Sequence, residues 1–102
     1  MEVITGTSDN FDEEVLKAER VIIDFNAEWC GPCRMLGPIL ESVAKDLKKT
    51  KAVSINVDDE EDLATTYNVF TIPCLVLLEN GKEIKRNVGL MSKEDLIKFI
   101  GE

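Results

Sequence analysis

Short apolar runs alternate along the chain with segments whose apolar residues recur every three or four positions. Apolar runs bounded by turn residues are typical of buried strands, whereas the wider spacing is typical of one face of a helix. The runs predict strands over residues 2–5, 21–27, 52–57, 74–78 and 83–88. Asn80-Gly81, between the last two runs, predicts a two-residue hairpin turn.

The segments with helical spacing lie between these strands and after the last one. Helices are expected up to about Glu19, from Cys30 to about Leu47, from the acidic run 58–62, and after Ser92. Asp9 or Asn10 would cap the first. The expected apolar faces are Phe11, Val15 and Leu16; Leu36, Leu40, Val43 and Leu47; Leu63, Ala64 and Tyr67; and Leu96, Phe99 and Ile100.

The resulting element order, β-α-β-α-β-α-β-β-α, indicates the α/β class. Parallel strands joined by helices come first, and an antiparallel hairpin comes last. Helices must then cover both faces of the sheet. The length of 102 residues suggests that residues 1–102 form a single domain.

Two cysteines lie where a predicted strand passes into the long helix. Cys30 is expected to begin the helix at an exposed position, and Cys33 to lie on the same face one turn later. A helix N-terminus carries unpaired N–H groups and partial positive charge, so it favours the reactive thiolate. The spacing also allows the sulfurs to approach within bonding distance.

The charge and residue composition limit the possible partners and the groups that can transfer protons. The net charge is −8, which argues against nucleic acids and anionic membranes as partners. Because there is no histidine, proton chemistry near neutral pH must come from a perturbed cysteine or carboxyl group. We find neither a signal peptide nor a membrane-spanning segment, so an intracellular, reducing compartment is expected.

The cysteine pair has three interpretations: inert core residues, half of a zinc site, or a redox pair. A zinc site needs about four ligands, and the only further cysteine or histidine is Cys74. Gly31-Pro32 between the two cysteines indicates a tight, exposed turn. Cys-x-x-Cys beside a βαβ pattern in an intracellular chain favours redox chemistry.

The stretch Trp29-Cys30-Gly31-Pro32-Cys33 resembles the active site of the thioredoxin family. Further matching positions are Asp24-Phe25, Ala27, Pro38, Asn56-Val57-Asp58, Ile72-Pro73, Asn80-Gly81 and Gly89. The resemblance covers nearly the whole chain. It implies the thioredoxin fold, a central mixed five-stranded sheet flanked by four helices.

The resemblance also implies roles for individual residues. Cys30 would be the nucleophile and Cys33 the resolving thiol, the two cycling between dithiol and disulfide, with Gly31 and Pro32 shaping the motif. Asp24 would be a buried carboxyl that exchanges a proton with Cys33 through water. Strand alternation alone places Asp24 on the face of Ile22 and Asn26 and leaves its burial open.

A substrate-binding surface is implied around Cys30. It would consist of Trp29, Pro32, Ile72, Pro73 and Gly89, with the Ile72 backbone pairing with an extended substrate segment. Base rates for X-Pro bonds favour a trans Ile72-Pro73 bond, whereas the resemblance implies a cis one. The acidic run 58–62 is expected only to solvate and cap a helix.

The implied function is reduction of disulfides in other proteins, as a cytoplasmic, monomeric electron carrier. Electrons would come from a thioredoxin reductase, and the chain itself would need no cofactor or metal. A redox-responsive binding module that docks partners without turnover is the alternative. A metal-binding protein that uses Cys30, Cys33 and Cys74 is a weaker one.

Three residues depart from the family pattern. Asn26 stands where many thioredoxins have an aromatic residue, and Ser54 where many have a lysine near the buried acid. Loss of that lysine should leave the pKa of Asp24 higher. Cys74 stands where threonine is usual. It is interpreted as a small apolar strand residue, with an effect on redox behaviour as the sharper hypothesis.

Overall fold

A five-stranded mixed sheet forms the centre of the computed structural model, which describes residues 1–102. The strands are β1 (Val3–Thr5), β2 (Arg20–Asn26), β3 (Lys51–Asn56), β4 (Cys74–Glu79) and β5 (Lys82–Val88). Their order across the sheet is β1-β3-β2-β4-β5. β1, β3 and β2 are parallel to one another. β4 pairs antiparallel with β2, and β5 pairs antiparallel with β4. The predicted strand order along the chain and the mixed sheet are confirmed.

Three α-helices and one short π-helical segment flank the sheet. They are α1 (Gly31–Ala44), α2 (Glu61–Thr66), α3 (Lys93–Ile100) and the π-helical segment Asp12–Leu16. α1 ends before the expected Leu47, although Leu47 remains buried after a final turn. None of the helices is long and apolar enough to span a bilayer.

The π-helical segment corrects the expectation for the first helix. Asn10 caps nothing there: its side chain accepts from the Thr7 N–H (2.8 Å) and donates to the Thr5 carbonyl (2.9 Å). The Lys17 N–H donates to the Asp12 carbonyl five residues back, and this wider turn changes the angular spacing of side chains. Leu16 is accordingly exposed, although it was expected on the buried face.

The central strand β2 separates two apolar layers. Ile22 packs on one side with residues of α1 and α3, whereas Val21, Ile23 and Phe25 pack on the other. This alternation follows from the two-residue period of a strand. Asp24 shares the parity of Ile22 and therefore lies on the α1 side of the sheet.

Local signals at the hairpin and the last helix behave as expected. Asn80 and Gly81 have φ angles of 50° and 80° and join β4 to β5, as a two-residue turn with positive φ requires. Gly89, with φ of 106°, follows the end of β5. The Ser92 hydroxyl accepts from the Asp95 N–H at 3.1 Å and caps α3.

Candidate active site

The cysteine pair lies at the junction of β2 and α1. Cys30 is the N-cap of α1, with extended backbone (φ −86°, ψ 113°), and its Sγ accepts the Cys33 N–H at 3.2 Å. Cys30 and Cys33 form a disulfide, with their Cα atoms 5.2 Å apart. Proline in the first turn of α1 removes no hydrogen bond, because N–H groups there have no helical partner. The sequence thus folds into a turn that holds both sulfurs together.

The burial of Cys30 differs from the expectation. It was expected at the exposed end of the helix, yet both cysteines are only 5% exposed. They pack with Ala27 and against Val57 and Ile72. Cys30 Sγ turns toward Cys33 and lies 3.9 Å from the Ile72 carbonyl oxygen. A substrate disulfide must therefore contact the residues that pack around Cys30, such as Ile72, before it can reach the Cys30 sulfur.

The Ile72-Pro73 peptide bond borders the disulfide and is cis, as the family resemblance implied. The Pro73 carbonyl accepts the Gly89 N–H at 2.8 Å, which ties the Gly89 turn to this loop. Ile72 and Gly89 are half-buried, but Pro73 is buried. The expectation that Pro73 forms part of an open apolar surface is therefore wrong; it packs beneath that surface.

Trp29 is exposed, with 70% of its surface accessible. Its indole N–H donates to Asp58 Oδ2 at 2.8 Å. The Asp58 loop is itself held by Asn56 Oδ1, which accepts the N–H groups of Asp58 and Asp59 at 2.8 and 3.2 Å. The acidic run therefore does more than solvate and cap a helix, since its first residue fixes the orientation of Trp29.

Asp24 is buried in β2, with 2% of its surface accessible. It pairs in register with Ser54 on β3 and Leu75 on β4. Its Oδ1 has no hydrogen-bond partner. Burial raises the pKa of Asp24 from 3.8 to about 6, and a hydrogen bond from Asn26 opposes part of that rise. The burial of Asp24, which strand alternation left open, is thereby settled.

A cavity of about 270 Å³, open to the surface and lined mainly by polar residue types, brings Asp24 and Cys33 together. Asn26 and Ser54 also line it, and the exposed Glu28 and Arg34 lie where it meets the surface. The disulfide thus lies between two environments. Cys30 borders the Ile72 surface, while Cys33 also borders a cavity that contains a carboxyl group.

Residues 2–102 match the family model described as Thioredoxin. The chain belongs to the thioredoxin family. A relative named Thioredoxin from Rickettsia bellii is 44% identical over 96 residues, which cover 92% of this chain and 91% of the relative. One from Chlamydia pneumoniae is 46% identical, with coverage of 94% and 93%. The solved structure of a mutant thioredoxin from Halobacterium salinarum has a TM-score of 0.88 at 32% identity, covering 97% of this chain and 88% of that one.

Thioredoxin-family membership and the disulfide identify the chemistry. The chain is a thiol–disulfide oxidoreductase, and Cys30–Cys33 is its redox-active disulfide. The family implies disulfide-containing substrates and a reductase partner in general terms. No group of three or more histidine, cysteine, aspartate or glutamate side chains is placed to hold a metal ion.

Cys74, the third cysteine, lies on the opposite side of the sheet from Asp24. It is buried in register with Phe25 and packs in the apolar layer of Phe25. Burial raises the pKa of its thiol, the nearby Arg86 guanidinium opposes that rise, and Glu83 and Asp24 add to it. This environment disfavours the thiolate and supports the interpretation of Cys74 as a small apolar strand residue.

Phe70 is an exposed apolar residue near Ile72 in sequence that the sequence interpretation did not consider. It is 89% exposed in the loop between α2 and β4, two residues before Ile72. Val88 and Leu90, on either side of Gly89, are exposed as well. The available signal was a large apolar residue in a loop that no strand or helix pattern required. Exposed apolar residues therefore lie next to both Ile72 and Gly89 along the chain.

Proposed function

We propose that this thioredoxin-family chain reduces protein disulfides with Cys30 as the attacking thiolate and Cys33 as the resolving thiol. The observation that carries this assignment is the asymmetry of the pair. Cys30 is the N-cap of α1 beside the Ile72 surface, whereas Cys33 borders the cavity that contains Asp24. The two sulfurs are equally buried but differ in the surface they border and in the proton chemistry available to them.

The first step is attack by the Cys30 thiolate on one sulfur of a substrate disulfide. The Cys30–substrate bond forms, the substrate S–S bond breaks, and the other substrate sulfur leaves as a thiolate. The Cys33 N–H, 3.2 Å from Cys30 Sγ, and the N-terminus of α1 both favour negative charge on this sulfur. Gly31 and Pro32 act through the shape of this turn.

The second step is attack by Cys33 on Cys30 Sγ. The Cys30–Cys33 disulfide forms, and the second substrate sulfur leaves as a thiolate, so two electrons pass to the substrate. Cys33 must lose its proton before it attacks. Asp24 is the acid–base group that borders the same cavity, and with a pKa of about 6 it is ionised at neutral pH and can accept that proton.

Substrate binding is assigned to the apolar surface around Cys30. Trp29, Ile72, Pro73 and Gly89 form or support it, with Phe70 as an exposed extension. Ile72 lies two residues before β4, where its backbone can pair with a substrate segment by strand addition. Contacts with the backbone suit many sequences, as a reductase with many substrates requires.

We further propose that residues 1–102 form one domain that acts as a cytoplasmic, monomeric electron carrier. A thioredoxin reductase supplies the electrons. This context is supported by the family and by the relatives named Thioredoxin. The absence of histidine before Cys33, where Pro32 stands, supports a reductant rather than an oxidant.

A coupled reduction assay with a disulfide-bonded model protein tests the proposal. Wild type should turn over, and Cys30→Ser should lose turnover completely. Cys33→Ser should accumulate a covalent Cys30–substrate species, detected by mass spectrometry under non-reducing conditions. A wild type that binds substrate but does not turn over would instead support the redox-responsive binding module. Equilibration with glutathione then tests whether the chain is a reductant.

A further inference from the structure

Two small polar residues form one wall of the cavity beside Asp24. The Asn26 side-chain amide donates to Ser54 Oγ at 2.8 Å and to the Asp24 carbonyl at 2.9 Å. Asn26 and Ser54 therefore hold each other across β2 and β3, which are paired in register at these positions. Both are departures from the common family pattern, and the reaction steps above leave them without a role.

The cavity has the size and polarity to hold water. Its volume is about 270 Å³, whereas one water occupies about 30 Å³ of liquid. Asp24 Oδ1 is buried without a protein partner, which is the kind of atom that buried water usually satisfies. Glu28 and Arg34, which also line the cavity, are exposed, so the cavity reaches solvent.

We propose that Asn26 and Ser54 are positioning residues that keep this cavity open and polar, so that solvent carries protons to and from Asp24 during the resolving step. The inference rests on the proposed role of Asp24 and on the water exchange that the family resemblance implies, and it goes beyond both by giving Asn26 and Ser54 a role in that exchange. Water enters past Glu28 and Arg34, and the Asn26–Ser54 pair prevents apolar collapse around the carboxyl group. After Asp24 accepts the Cys33 proton, the proton leaves by the same route.

Few titratable or charged side chains share the cavity with Asp24. α1 contributes Cys33 and Arg34, and the β2–α1 loop contributes Glu28. β3 contributes the uncharged Ser54, and β4 pairs the apolar Leu75 with Asp24. Cys74 faces the other side of the sheet. Closing the cavity would therefore act on Asp24 chiefly by removing solvent, which makes its ionised form less favourable.

Gly37 offers a clean way to close the cavity. It lines the cavity from α1, and a Cβ placed on it meets no atom within 4 Å. Gly37→Ala and Gly37→Leu both remove the helix penalty of glycine, but only leucine is long enough to fill the space. The pair therefore separates cavity closure from helix propensity.

The measurement is stopped-flow reduction of an aromatic disulfide that releases a coloured thiol at each of the two steps. The first release reports attack by Cys30, and the second reports resolution by Cys33. The rate of the second phase should fall at low pH, where Asp24 is protonated; this part of its pH profile is the acid limb. For Gly37→Leu, closing the cavity should move the acid limb upward by about one pH unit. Its rate should then fall about eightfold at pH 5.5 and stay nearly unchanged at pH 8. The first phase and all phases of Gly37→Ala should match wild type.

Ser54 provides a second, independent variant if leucine at position 37 prevents folding. Ser54→Val and Ser54→Thr add nearly equal volume to the cavity wall, but only threonine keeps the acceptor for Asn26. Valine should shift the acid limb of the second phase upward, as Gly37→Leu does. Threonine should leave that limb closer to its position in wild type. A purely structural effect would instead slow both phases at every pH.

Asp24→Asn distinguishes the two ways in which the inference can fail. If Asp24→Asn abolishes the acid limb but Gly37→Leu and Ser54→Val leave it in place, the assigned route is wrong and the role of Asp24 stands. If Asp24→Asn leaves the limb unchanged, the proposed role of Asp24 itself is wrong, and the route falls with it.

Discussion

At the scale of single residues, Asp24 has an energetic cost as well as a proposed chemical role. Its pKa is raised by burial from 3.8 to about 6, so its ionised form is less stable in the folded protein than in the unfolded chain. Below about pH 3.8 the group is protonated in both states and costs nothing. The cost grows as the pH rises between these values and is complete above pH 6, where it reaches about 3 kcal/mol.

Asp24→Asn should therefore stabilise the protein, with an effect that depends on pH. We expect the free energy of unfolding to rise by about 2–3 kcal/mol at pH 8 and to match wild type near pH 3.5. Urea unfolding at both pH values measures this. Asp46→Asn, at an exposed position, serves as the control. An equal change at both pH values would show that the effect does not come from ionisation.

The chemistry of individual residues could be predicted from sequence better than their burial. Cys30 and Cys33 were recognisable as a pair from their type and spacing, whereas the role expected for Asp24 came only from the family resemblance. The burial of Cys30 and Pro73 was not, because it depends on where Val57, Ile72 and Gly89 pack after distant segments meet. The contact between Trp29 and Asp58 likewise joins residues on different loops, which no local pattern encodes.

At the scale of elements, local hydrogen bonds determine where helices begin. The Ser92 hydroxyl satisfies the Asp95 N–H at the start of α3, and the αL residue Gly101 ends that helix. Leu96 and Ile100 anchor its apolar side in the core. The cap therefore stabilises a helix that covers the same sheet face as α1.

Ser92→Ala should lower the free energy of unfolding by about 1 kcal/mol, because it leaves the Asp95 N–H without its side-chain partner. Ser92→Asp keeps an acceptor at the cap and adds favourable charge at the helix N-terminus, so it should remain close to wild type. Thermal and urea unfolding of both variants provide the test. Equal destabilisation by alanine and aspartate would rule out the capping explanation.

The order of elements could be predicted because apolar periodicity and turn residues are local signals. The strands, the hairpin and the Ser92 cap all follow from them. The π-helical segment Asp12–Leu16 could not, since its hydrogen bonds reach five residues back and its capping candidate Asn10 bonds elsewhere. Likewise α1 ends at Ala44 although its apolar spacing continues to Leu47.

At the scale of the whole molecule, the disulfide restricts the unfolded chain as well as the active site. Its two cysteines are only three positions apart, so the loop it closes is very short. In the chain-entropy model, such a loop removes enough freedom from the unfolded state to add about 2 kcal/mol to the free energy of unfolding.

Reduction should therefore lower the midpoint of urea unfolding, with a loss of about 2 kcal/mol. The measurement is unfolding of the same preparation with and without a thiol reductant. A variant that carries both Cys30→Ser and Cys33→Ser should be insensitive to the reductant, which controls for effects on Cys74. Identical midpoints for the oxidised and reduced wild type would contradict the expectation.

The cavity beside Asp24 is also a property of the whole molecule. It forms where β2, β3 and α1 meet, and its lining comes from three separate stretches of sequence. The positions of Asn26 and Ser54 could be singled out as departures from a family pattern. Their hydrogen bond to each other and the space they border follow only from the register of β2 with β3.

Trp29 is the only tryptophan in the chain, and it stands directly beside the disulfide with its indole fixed by Asp58. All of the protein's tryptophan emission therefore originates at the one place where bonds are made and broken. A change in the redox state, or a substrate that covers the surface, alters the surroundings of a single emitter. The protein thus carries its own spectroscopic probe, and each step of its catalytic cycle can be followed in solution without a label.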